Sequence, residues 1–65
     1  MDWRDVIVSR LQELTLFEIL IFKQSNRQLD DYFEDDKILS YLSGRIGKKV
    51  ESYDDFYNEV SHITR

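Results

Sequence analysis

Asp55, Glu59 and His62 recur at i, i+4 and i+7, so a helix through them would carry all three on one face. Glu59 and His62 form a Glu-x-x-His pair, the spacing that di-iron carboxylate bundles use to hold metal. Such sites need a second pair of this kind and glutamates from other helices, yet His62 is the only histidine. The face reads instead as solvated, with His62 favoured near a helix C-terminus by the dipole. The run Asp30 to Asp36 raises calcium in the same way. An EF-hand loop needs alternating ligands and a glycine at its sharp turn, but Tyr32 and Phe33 interrupt the run and no glycine is present. Nucleophilic chemistry fares no better. There is no cysteine, and Ser61 adjoins His62 but would point about 100° away from it on a helix. No glycine-rich phosphate loop occurs. These residues predict no catalytic, cofactor-binding or metal-binding site, and a protein that is not an enzyme.

One charged constellation reads as recognition. Asp30, Asp31, Glu34, Asp35 and Asp36 form an acidic run suited to a basic protein partner, or to mimicry of DNA against a DNA-binding enzyme. The alternative of direct DNA binding rests on residues 38 to 60, a short helix, a glycine turn and a second helix. Arg45, Lys48 and Lys49 precede that second helix, but Asp54 and Asp55 occupy the start that would meet phosphates. The net charge of −4 argues the same way, because phosphate attraction requires a basic surface. Nucleic acid is therefore an unfavoured partner.

The elements that must position these residues belong to one domain, since 65 residues hold no more. A core this small supplies only about 3–5 kcal/mol of net stability. Without cysteine, disulfides cannot supplement it, which leaves helix packing or oligomerisation. Proline is absent and glycine occurs only twice, too little turn chemistry for an all-β chain. The expectation is an all-α fold over residues 1–65: a compact bundle of one long N-terminal helix and three short ones.

The long helix is read from Trp3, Ile7, Leu11, Leu14, Phe17 and Ile21, spaced by 4, 4, 3, 3 and 4. It is expected from Asp2 to Lys23, although residues 16–22 are rich in β-formers and a strand there is the alternative. Ser25 and Gln28 suggest a capping box opening a short helix to Phe33. Asp35 or Asp36 is expected to cap a third helix, Lys37 to Ser43, which points Ile38, Leu39 and Leu42 inward and ends at Gly44. Ile46 and Val50 tether a basic connector. Ser52 and Asp55 open the last helix, Tyr53 to Ile63, whose inward face is Tyr53, Phe56, Tyr57, Val60 and Ile63.

The succession "LFEILIFK", "LDDYFED", "ILSYL" and "SYDDFYNEV" resembles the YozE-like family of small bacterial proteins. The likeness covers most of the chain after residue 16. It implies an all-helical, sterile-alpha-motif-like fold and no particular chemistry. The chain differs in lacking the family's Phe-Pro segment, in carrying Tyr57 near an expected tryptophan, and in its first fifteen residues, which have no counterpart.

The apolar stretch 16–23 asks what covers it. It falls far short of the roughly 20 residues that span a bilayer. Met1-Asp2-Trp3-Arg4-Asp5 is not the cationic opening of a signal peptide, so a cytoplasmic location is expected. Three short helices offer too little apolar surface to wrap the long helix completely. Leu16, Ile19, Leu20 and Phe22 (or Trp3 together with Phe22) are then left over as an association surface. The sequence thus predicts a homodimer through the first helix. It also predicts a small interaction protein, bacterial or phage-encoded in its compositional style, that acts by occupying a partner's surface.

Overall fold

Thr15 divides the N-terminal third in two. The structure, a computed structural model, describes residues 2–63, and Met1, Thr64 and Arg65 lie outside them. The single rod expected from Asp2 to Lys23 is two helices, α1 (Trp3–Gln12) and α2 (Leu16–Ser25). The cause is a capping box. Thr15 Oγ1 accepts from the Glu18 amide at 3.2 Å, and the Glu18 carboxylate accepts from the Thr15 amide at 2.8 Å. Thr15 is held extended at φ −72°, ψ 167°, which ends the α1 spiral and starts another. Residues 16–22 are helical, and no strand occurs among the described residues.

A 3-10 helix, Arg27–Glu34, follows α2 directly. The expected capping box at Ser25 and Gln28 is not formed. Ser25 is the last residue of α2, and Asn26 closes that helix by donating its side-chain amide to the Phe22 carbonyl at 2.8 Å. Helix α3 (Asp36–Ile46) is capped by Asp35, whose carboxylate accepts from the Lys37 amide at 3.0 Å. It runs past Gly44, the expected stop, to Gly47, which takes the left-handed conformation at φ 71°. There the amides of Gly47 and Lys48 both reach the Ser43 carbonyl. Helix α4 (Tyr53–Ile63) begins where expected, with the Asp55 amide donating to Ser52 Oγ at 3.4 Å.

The fold is all-helical, with α1 to α4 of similar length rather than one long and three short. Its Cα radius of gyration is 10.9 Å, close to the ~11 Å of a folded chain this size. The core is built from Leu11, Ile19, Leu20, Phe33, Ile38, Leu39, Leu42, Val50, Tyr53, Phe56 and Val60. The three inward residues expected of α3 are all in it. In α4, Tyr53, Phe56 and Val60 are buried, whereas Tyr57 and Ile63 are exposed. Val50 is fixed by its amide, which donates to Ser43 Oγ at 3.0 Å. No described helix is long and apolar enough to cross a membrane.

Candidate interaction surface

The bend at Thr15 decides which apolar side chains reach solvent. It re-phases α2 so that Ile19 and Leu20 enter the core, at 0% and 7% exposure. Leu16 and Phe22 are half-buried and pack against that core. The four residues expected on an association surface are thus two core residues and two at its margin. The side chains that remain outside are Phe17, 55% exposed, and Ile21, 47% exposed. They stand at i and i+4, which makes one ridge along the outer face of α2. Beside the ridge lies a shallow groove of about 330 Å³, lined by Leu14, Glu18, Ile21, Phe22, Ser25 and Asn26. Glu18, the one ionic group in the groove, is held by the capping box. The amide and hydroxyl of Thr15 keep its carboxyl below the usual carboxylate range.

A second exposed apolar cluster joins α1 to the 3-10 helix. The rings of Trp3 and Tyr32 meet tilted at 34° with centroids 4.7 Å apart, and the Arg4 guanidinium lies 4.5 Å from the Trp3 ring centroid. Arg4 Nε also donates to both carboxylate oxygens of Asp35 at 3.0 Å. At the next residue of α1, Asp5 meets Lys37 Nζ at 2.6 Å. At the far end of α1, Arg45 donates to the Leu11 carbonyl at 3.0 Å, the Leu14 carbonyl at 2.8 Å and the Tyr41 hydroxyl at 2.7 Å. Leu11 is the only fully buried residue of α1. Ile7 and Val8 pack against the core beside it, so α1 is held by apolar side chains together with ion pairs, a ring contact and one arginine.

The acidic run is divided by its own contacts. Asp35 serves Arg4 and the α3 cap, Asp30 pairs with Lys23 at 3.2 Å, and Glu34 accepts from the Tyr53 amide at 3.3 Å. Asp36 lies in the first turn of α3, where the helix dipole favours it, and Asp31 is exposed. Asp30, Glu34 and Asp35 are thus engaged within the chain, while the side chains of Asp31 and Asp36 lie at exposed positions.

On α4, Glu59 is paired with Lys48 at 3.0 Å and the Asp55 carboxylate accepts from the Glu51 amide at 3.1 Å. His62 is exposed. Among the described residues, no cluster of three His, Cys, Asp or Glu side chains is placed to hold a metal ion. Another groove, beside two tyrosines, is lined by Lys23, Gln24, Arg27, Asp30, Tyr53 and Tyr57. Lys23 Nζ closes part of it, 4.4 Å from the Tyr53 ring centroid.

The sequence contained the signal for the bend and for the true exposed pair: Thr15-Leu16-Phe17-Glu18 is itself a capping-box pattern. A hydrophobic stripe running unbroken through those positions masked it. Comparison with known proteins finds no matching family model, no matching curated protein and no matching solved structure.

Proposed function

We propose that this chain is a non-catalytic protein–protein interaction module, a small adaptor, inhibitor or regulator that works by covering a partner's surface. The observation that carries the reading is the outer face of α2. There Phe17 and Ile21 form an uncharged ridge beside an apolar groove, in a chain of which 34% of residues are charged. Contiguous apolar surface of this kind on a small protein marks association. Self-association belongs to the reading, because a face with little net charge is where two copies of an acidic chain meet with least repulsion. The nucleic-acid reading gains no observation of its own. Lys48 is engaged by Glu59, and Lys49 shares a groove with Asp36 and Glu51.

The test is sedimentation equilibrium of the wild type against Ile21→Asp. Ile21 is exposed, so the aspartate leaves the fold intact, whereas the same change at Leu20 would strike the core. A wild-type association that Ile21→Asp abolishes supports the reading. A wild type that stays monomeric at millimolar concentration removes self-association from it.

A further inference from the structure

Among the backbone groups at the Thr15 bend are two matched pairs held by side chains, with the Leu11 carbonyl also accepting from the Leu14 amide at 3.1 Å. Arg45 occupies the carbonyls of Leu11 and Leu14, and the capping box occupies the amides of Thr15 and Glu18. In a continuous α-helix the Thr15 amide donates to the Leu11 carbonyl, and the Glu18 amide to the Leu14 carbonyl, because each bond spans four residues. Straightening the bend therefore lets the two carbonyls and the two amides satisfy each other and releases three side chains. No proline or glycine lies between α1 and α2 to forbid it. The apolar stripe Trp3, Ile7, Leu11, Leu14, Phe17 and Ile21 also keeps helical phase straight through the break, although the bent fold leaves Trp3, Phe17 and Ile21 exposed. In the bent fold Leu11 and Leu14 of this stripe pack in or against the core, but its continuation to Phe17 and Ile21 faces solvent, whereas a straight helix keeps all four on one face.

We propose that α1 exchanges between two copies of this chain, with α1 and α2 merging into one helix that carries α1 away from its own body and onto the partner's. The inference deepens the self-association reading above and rests on it. The occupant of the vacated α1 site is fixed by contacts already present. Arg4 with Asp35, Asp5 with Lys37 and Leu11 in the core all re-form between chains as they form within one. A two-fold swap of this kind is closed, since each body receives one helix and donates one. Both states give these four groups partners, from side chains when bent and from each other when straight.

The test mixes two charge-reversed variants, Asp5→Lys and Lys37→Glu. Both positions are exposed, and neither side chain caps a helix. Each variant alone sets like charges against each other, within one chain or across its own swap. In the mixed swapped dimer both pairs are opposite again. The expected result is a several-fold excess of mixed dimer over either homodimer by native mass spectrometry, lost in high salt. Thr15→Ala, which weakens only the bent state, is expected to raise the wild-type dimerisation constant about thirtyfold, roughly fivefold for each of the two hinges. A statistical mixture together with an unmoved Thr15→Ala constant overturns the swap. If Ile21→Asp still abolishes association in that case, the α2 surface stands without the swap. If no variant associates, both fall.

Discussion

Arg4 Nε stands 3.0 Å from both carboxylate oxygens of Asp35, tying the first turn of α1 to the cap of α3 across 31 positions of sequence. Asp35 therefore has two duties, and they separate by substitution. Arg4→Ala removes the ion pair, together with the contacts of Arg4 to Trp3 and Asp2, and leaves the cap. Asp35→Asn removes the charge but keeps a capping oxygen, and Asp35→Ala removes both. The urea midpoint is expected to fall least for Arg4→Ala, by a similar amount for Asp35→Asn, and most for Asp35→Ala.

Acid sensitivity follows from the same carboxylate. The Arg4 hydrogen bond, above all, holds Asp35 below the usual carboxylate range, and the Thr15 backbone amide does the same for Glu18. A group whose folded pKa is depressed contributes stability that is present above its unfolded value, about 4, and lost as pH falls through the folded one. The denaturant midpoint is expected to drop as pH falls from about 5 toward 2. In the double variant Asp35→Asn, Glu18→Gln that slope is expected to be visibly flatter.

Tyr53 reverses the sign. Burial, reinforced by Tyr57, Asp30 and Asp54, pushes its hydroxyl up to about 12. A raised folded value means the contribution is complete below the unfolded pKa, about 10, and disappears as pH rises through the folded one. An ultraviolet titration is expected to show one of the 4 tyrosines ionising last, together with loss of helix. Tyr53→Phe should ionise without that late step and keep its helix to higher pH.

Phe33 and Phe17 carry the same side chain with opposite consequences. Phe33 is fully buried, with its ring centroid 5.5 Å from that of Tyr53. Phe33→Ala is expected to cost about 3–5 kcal/mol, enough to unfold a domain with the small reserve of this size class. Phe17→Ala should change monomer stability by less than about 0.5 kcal/mol while weakening association. Thermal melts by circular dichroism at low protein concentration separate the two.

Gly44 and Gly47 make a second contrast. An added Cβ meets nothing within 4 Å at either position, so conformation alone decides. Gly44 lies inside α3, where alanine is expected to stabilise by about 0.4–1 kcal/mol. Gly47 ends α3 at φ 71°, where alanine is expected to destabilise by about 1–2 kcal/mol. Denaturant midpoints moving in opposite directions are the expected readout.

Much of this architecture could be read from the residues. The inward triad Ile38, Leu39 and Leu42, the cap at Asp35, the tether at Val50 and the bounds of α4 all follow from periodicity and capping chemistry acting locally. The bend at Thr15 was partly legible, because the capping box is local. Its other support, Arg45, lies 31 and 34 positions away, and no local rule reveals it. Gly44 misled for a related reason. A glycine with no steric conflict inside a helix looks like a stop until packing shows that the helix continues. The exposed pair Phe17 and Ile21 could not be told from Ile19 and Leu20 while the stripe was read as one helix, since the re-phasing at residue 15 is what separates inside from outside.

The reach of Arg45 also bears on the order in which the molecule assembles. During synthesis the first twenty-five residues emerge before the arginine that fills the carbonyls of their corner. Until α3 has formed and swung into place, only the Thr15 box opposes an uninterrupted spiral. The corner is thus completed by the second half of the chain, and slow delivery of that half would give a neighbouring nascent molecule time to claim the unplaced helix.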